Sequence, residues 1–159
     1  MLRGPYVSLV PLTGPAGVGK TRLAVEVAET LLADTDQNVF FVDLARLDDA
    51  AAVLPAIAET LAVKARPAEP VLESLISAVQ EQPTVVVLHN FEHVLAAADQ
   101  VAELLAGCPA LKVLATSRSA LQVRWEYEVR PRPLCLPPPT HDVDPDTRTL
   151  AGHRVVRRA

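Results

Sequence analysis

Short runs of apolar residues alternate along the chain with longer stretches in which apolar positions recur at helical spacing. Continuous apolar runs are typical of strands buried on both faces of a parallel sheet. Four strands are predicted in this way, at residues 7–12, 39–42, 85–88 and 111–115. Because helical patterns separate them, we predict an α/β fold in three layers, with helices on both faces of the sheet.

The stretches between the strands predict four helices. In the first, from Thr21 to Ala33, one face carries the apolar residues Leu23, Ala24, Val27, Ala28, Leu31 and Leu32. The second covers residues 48–63, where Pro55 should split or restart the helix. The third opens at Pro70, and the fourth runs from Phe91 to Ala106 and stops at Gly107.

The prolines divide the chain into two parts. Six of the fourteen lie between Pro131 and Pro145, and the residues after 136 show neither strand nor helix periodicity. We therefore expect one folded domain at residues 1–135 and a disordered tail at 136–159. Pro11 is unexpected, because it lies inside a predicted central strand and has no N–H for the ladder.

Composition excludes several classes of protein. Half of the residues are hydrophobic and 21% are charged, which indicates a folded core. The net charge of −4 argues against direct DNA binding, since neutralising phosphates needs a basic surface. Two cysteines, Cys108 and Cys135, are too few for a disulfide framework, and no apolar run is long enough to cross a membrane. A cytoplasmic protein is expected.

A glycine-rich loop between the first strand and the first helix carries the strongest chemical signal. It matches the pattern G-x-x-x-x-G-K-[ST], whose backbone N–H groups cradle phosphates at a helix N-terminus. Lys20 would reach the β- and γ-phosphates, and Thr21 would offer its hydroxyl to Mg²⁺. The alternative is a glycine-rich turn that only joins strand to helix. The predicted nucleotide-binding residues are Gly14, Pro15, Ala16, Gly17, Val18, Gly19, Lys20, Thr21 and Arg22.

The ends of the third and fourth strands carry further candidates. Catalytic proteins with this loop usually hold Mg²⁺ with an aspartate at the end of an apolar strand, but position 89 is histidine. We therefore expect Mg²⁺ to be held more weakly than in proteins that have the aspartate. A zinc site at His89 and His93 is an alternative, although no third ligand has a recognisable spacing. Arg118 ends the fourth strand and is predicted to sense a terminal phosphate; the alternative is a surface arginine paired with a carboxylate.

Four motifs in order resemble the ATPase module of STAND-class signal-transduction NTPases. They are residues 14–24, 41–45, 88–94 and 114–118, and they are most similar to the NB-ARC-like ATPases of large bacterial transcriptional regulators of the LuxR and SARP types. The resemblance covers residues 7–137. It implies a sheet of order 5-1-4-3-2, ATP as ligand, and a switch between an ATP-bound form that self-associates and a closed ADP-bound form.

The same resemblance implies roles for single residues. Lys20 and Thr21 would bind phosphate and Mg²⁺, and Arg118 would be the first sensor. Asn90 and Glu92 match the relatives, so Glu92 is a candidate for orienting water, whereas relatives have aspartate in place of His89. The lid, winged-helix and DNA-binding modules of relatives have no counterpart after residue 138, which suggests a truncated copy.

Three functions remain open. An ATP/ADP switch domain with slow hydrolysis at most is favoured by the phosphate-binding loop together with Arg118. A fragment that binds a partner without hydrolysis is favoured by His89 and by the missing lid. A small P-loop kinase needs an arginine-rich lid, for which residues 48–82 offer only Arg66.

Overall fold

The computed structural model describes residues 7–34, 37–64, 68–124 and 126–131. The predicted tail at 136–159, Cys135 and Arg66 lie outside the described residues. The strands are β1 (Leu9–Thr13), β2 (Asn38–Asp43), β3 (Thr84–His89) and β4 (Leu111–Ser117). The helices are α1 (Lys20–Asp34), α2 (Val53–Thr60), α3 (Val71–Val79) and α4 (Ala98–Gly107).

The four strands form one parallel sheet in the order β1-β4-β3-β2. One face packs against α1, mainly through Ala24, Ala28 and Leu31, and the opposite face packs against α2, α3 and α4. Residues Val85 to Leu88 are buried, as expected for a strand covered on both faces. The predicted α/β class with three layers is confirmed.

The sheet differs from the predicted order 5-1-4-3-2, because no fifth strand forms among the described residues. Residues 126–129 make only two isolated parallel bridges to β1, Leu9 with Glu126 and Leu12 with Val129. The N–H groups of Tyr127 and Val129 donate to the carbonyls of Leu9 and Pro11, both at 2.9 Å. This register places the Tyr127 carbonyl opposite the nitrogen of Pro11, which has no hydrogen to donate. Pro11 thus removes one hydrogen bond of the ladder, and two separate bridges lie beside β1 in place of the fifth strand that the resemblance implies.

Two predicted helical features were wrong, and a third agrees with the structure. The helix expected from Phe91 starts only at Ala98, because residues 91–93 and 95–97 form separate 3₁₀ turns. The predicted restart near Pro55 agrees with the structure: a 3₁₀ turn at Ala50–Ala52 is followed by α2, and Pro55 lies in the first turn of α2, where its missing N–H would have no intrahelical partner. Leu23 is 37% exposed, so it does not belong to the buried face of α1.

Candidate functional site

The loop from Gly14 to Gly19 joins the end of β1 to the start of α1. Gly14, Gly17 and Gly19 have φ angles of 143°, 81° and 93°, which side chains with a Cβ adopt only under strain. Val18 is buried and anchors the loop, and a Cβ added to Gly14 would contact its Cγ1 at 3.4 Å. Pro15 and Ala16 are exposed. The sequence therefore folds residues 14–19 into a loop that is open to solvent and fixed at its base.

A run of unpaired backbone donors lines this loop. Within the described chain, the N–H groups of residues 17–22 have no hydrogen-bond acceptor, and the first bond of α1 is donated by Leu23 to the Gly19 carbonyl at 2.9 Å. Successive free N–H groups at the positive end of a 15-residue helix attract anions. The loop has the donors that phosphate oxygens require.

Lys20 lies within this run of donors and adds a positively charged side chain to it. Its Nζ donates to the carbonyls of Gly14 at 2.7 Å and Pro15 at 2.9 Å, so the ammonium group is held over the loop. Thr21 and Arg22 follow on the exposed side of α1. The hydroxyl of Thr21 makes no hydrogen bond to the described residues and is free to act as a ligand. The structure thus brings the predicted residues 14–22 together in one loop and helix start.

His89 ends β3 and is oriented by Thr116 on β4. Its Nδ1 lies 2.8 Å from the Thr116 Oγ1, which also accepts the Asn90 N–H at 3.1 Å. This hydrogen bond, together with the one from Asn90, fixes the orientation of the imidazole ring. Burial lowers the pKa of His89 below its ordinary value, and Lys20 adds to this, while Asp43 and Glu92 oppose it. The imidazole of His89 is therefore neutral near pH 7.

Asn90 and Asp43 shape the neighbouring turns. Asn90 has a left-handed backbone with φ of 62°, a conformation that asparagine tolerates better than most residues. Asp43 ends β2 directly opposite His89 in the parallel register, and its Oδ1 accepts the Ala45 N–H at 3.0 Å. The Leu44 N–H donates to the His89 carbonyl at 2.9 Å. The ends of β2 and β3 are therefore fixed to each other.

Glu92 and Arg118 form an ion pair between the ends of β3 and β4. The Arg118 Nε donates to the Glu92 Oε1 at 3.2 Å, and the exposed fractions of the two side chains are 65% and 15%. The other oxygen, Oε2, is buried and has no hydrogen-bond partner among the described residues. The structure therefore pairs the predicted sensor with the predicted water-orienting carboxylate.

Thr13 and Glu128 are site neighbours that the sequence did not reveal. The buried hydroxyl of Thr13, directly before the loop, donates to the Glu128 Oε1. Arg130 binds the same carboxylate through Nε at 3.0 Å and Nη2 at 3.1 Å, and both donors lower the pKa of Glu128. A threonine at a buried strand end needs a polar partner, but nothing in the sequence shows that a residue 115 positions away supplies it.

The donor set suits Mg²⁺ only in part. Thr21 offers a free hydroxyl oxygen, whereas His89 offers a neutral nitrogen where the resemblance expects aspartate. Among the residues that the structure describes, no cluster of three His, Cys, Asp or Glu side chains could hold a metal ion. His89 and His93 thus gain no third ligand for zinc. In the same residues, no helix is long and apolar enough to cross a membrane.

The chain is similar to known ATPase-type proteins in both sequence and fold. Residues 7–124 match the AAA domain family. The putative HTH-type transcriptional regulator Rv0890c of Mycobacterium tuberculosis is 37% identical over 123 residues, which are 77% of this chain and 14% of that protein. The chain therefore spans a small part of that relative's length.

Two solved structures share the fold. The ORC2 protein of Aeropyrum pernix, in its ADPNP–ADP complexes, has a TM-score of 0.54 at 15% identity and covers 78% of this chain and 41% of its own. The STAND protein PH0952 of Pyrococcus horikoshii, which has a tetratricopeptide repeat sensor, has a TM-score of 0.53 at 16% identity and covers 80% of this chain and 21% of its own. At these identities the likeness concerns the fold alone.

Proposed function

Because the chain belongs to the AAA domain family of P-loop ATPases, we propose that it binds ATP and ADP through residues 14–22 and serves as a nucleotide-dependent switch domain. The run of free N–H groups from Gly17 to Arg22 carries this proposal, together with the Lys20 ammonium group held over the loop. The loop donors and Lys20 bind the phosphates that ATP and ADP share. Arg118 contacts the terminal phosphate that only ATP has.

We propose that hydrolysis is slow or absent. Mg²⁺, when bound, neutralises charge on the phosphates, and Thr21 is the residue that would hold it. The neutral ring of His89 adds no charge and no oxygen ligand to this site. Glu92, the candidate for orienting water, is already paired with Arg118. Both observations favour binding over turnover.

The wider role follows from the family and is also a proposal. We place the chain among STAND-type, NB-ARC-like modules that act in the cytoplasm and self-associate or bind a protein partner when ATP is bound. With a net charge of −4, direct DNA binding is not expected, and a mobility shift that persists at physiological salt would contradict this. A partner-binding domain without hydrolysis is the second candidate, which the replacement of aspartate by His89 favours.

Isothermal titration calorimetry tests nucleotide binding. We expect wild-type chain to bind both ATP and ADP, and Lys20→Ala to weaken both by about tenfold or more, because one charge-assisted contact to phosphate is lost. Lys64→Ala is the matched control, since Lys64 is an exposed lysine outside the loop. Absence of binding at millimolar ATP and ADP, or equal binding by Lys20→Ala and wild type, would overturn the proposal.

A further inference from the structure

The chain contains two arginine–glutamate pairs with different geometry. Arg130 binds Glu128 in a bidentate way: its Nε and Nη2 donate two parallel hydrogen bonds to the two carboxylate oxygens. Arg118 contacts Glu92 through Nε alone. In this second pair, the two Nη groups of Arg118 and the Oε2 of Glu92 therefore have no hydrogen-bond partner among the described residues.

The two Nη groups of Arg118 are available for a second contact. They have no acceptor in the described chain, and the side chain is 65% exposed. A guanidinium has five N–H donors in a rigid plane, so fixing Nε also fixes the direction of both Nη groups. Arg118 can thus hold Glu92 and contact a second anion at the same time.

Glu92 is the more buried member of the pair. Its side chain is only 15% exposed, and its Oε2 is buried without a hydrogen bond. A buried carboxylate with a free oxygen is costly, and a neighbouring cation offsets part of that cost. The pair therefore holds the exposed arginine against a mostly buried carboxylate, whereas an arginine without this contact would lose more side-chain entropy when it met a ligand.

We propose that Glu92 is a positioning residue for Arg118: it holds the guanidinium by Nε so that both Nη groups are presented to the terminal phosphate of ATP. This inference rests on the proposed nucleotide binding and concerns the ATP form alone. ADP has no terminal γ-phosphate, so its binding by the loop and Lys20 is independent of the pair. Glu92 thereby contributes to the discrimination between ATP and ADP.

The test is a double-mutant cycle measured by calorimetry on the full chain, with ATP and ADP titrated separately. We expect Arg118→Ala to weaken ATP binding by about tenfold, because a charge-assisted contact to phosphate is lost. Glu92→Gln should weaken it by about threefold, because the guanidinium remains but is no longer held in the right direction. The double variant should bind ATP no more weakly than Arg118→Ala alone. Arg118→Lys should lower ATP affinity about as much as Arg118→Ala, because the single ammonium group of lysine cannot contact Glu92 and a phosphate in the planar geometry of a guanidinium.

ADP affinity is both the specificity control and the folding control. It should stay within about twofold of wild type in every variant, since the loop donors are unchanged. Arg124→Ala and Glu103→Gln remove the same charges at exposed positions and should change neither affinity. Stronger ATP binding by Glu92→Gln would show that Glu92 competes with phosphate and would overturn the inference. Additive losses in the double variant, or equal losses for ADP, would also overturn it.

Failure of this inference is distinguishable from failure of the proposed function. If wild type binds ATP and ADP but the cycle shows no coupling, the positioning role is wrong and nucleotide binding stands. If wild type binds neither nucleotide, the proposed function is wrong and the inference falls with it.

Discussion

At the residue scale, the proposed nucleotide site has a histidine, His89, at the position where an aspartate would favour a bound metal ion. Thr116 fixes the ring through Nδ1, and burial lowers the pKa of His89, so the side chain is neutral near pH 7. A neutral ring next to Lys20 supplies no negative charge to attract a divalent cation. The hydroxyl of Thr21 is then the oxygen ligand that the proposed site offers.

Replacement of His89 tests this account. In wild type we expect Mg²⁺ to change ATP affinity little, whereas His89→Asp should increase the gain from Mg²⁺ by about tenfold, because a carboxylate near a divalent cation is strongly favourable. Calorimetric titration of ATP with Mg²⁺ and with EDTA measures the gain. His89→Asn is the control, since it has nearly the same shape as Asp without its charge. Equal gains in His89→Asp and His89→Asn would contradict the role given to charge.

At the element scale, the apolar pattern predicts the strands well and the turns poorly. Strand bounds differ from the predictions by at most two residues, because a strand buried on both faces needs an unbroken apolar run. The start of α4 was misplaced, since the spacing of Phe91, Val94 and Ala98 suits a helix and also suits two 3₁₀ turns followed by a helix. Local periodicity does not separate these alternatives.

The contact between α3 and α4 provides a test of packing. A Cβ on Gly107 would lie 2.6 Å from the Ile76 Cδ1 and 2.9 Å from its Cγ1. We expect Gly107→Ala to lower the free energy of unfolding by about 1–3 kcal/mol through overpacking. Chemical denaturation followed by circular dichroism measures the change.

A compensating variant separates overpacking from other effects of Gly107→Ala. Ile76→Ala removes the atoms that the added methyl group would meet, so Gly107→Ala should cost clearly less in that background than in wild type. An unchanged or higher stability of Gly107→Ala in the wild-type background would contradict the tight contact.

At the scale of the whole molecule, the parallel sheet gathers the site from distant parts of the chain. The loop follows β1, Asp43 ends β2, His89 ends β3 and Arg118 follows β4, so all four strand ends meet at one edge. The sequence predicts this gathering, because parallel strands place their carboxyl ends together. It does not predict which side chains pair there.

The pairs found only in the structure join residues far apart in sequence. Arg118 meets Glu92 across 26 positions, and Thr13 meets Glu128 across 115. Such contacts depend on side-chain rotamers and on which exposed charge lies nearest, and neither leaves a periodic signal. Residues 14–22 were predictable because a local motif between a strand and a helix specifies them.

The most direct test of the central claim is an ¹⁵N–¹H correlation spectrum of the full chain during titration with ADP. Phosphate binding by free loop donors predicts that the largest saturable shifts occur at the amides of Gly17, Gly19, Lys20 and Thr21. The same titration of Lys20→Ala should require a much higher ADP concentration. If these amides stay unmoved at saturating ADP, or if the largest shifts lie in α4 instead, the loop is not the nucleotide site and the account is contradicted.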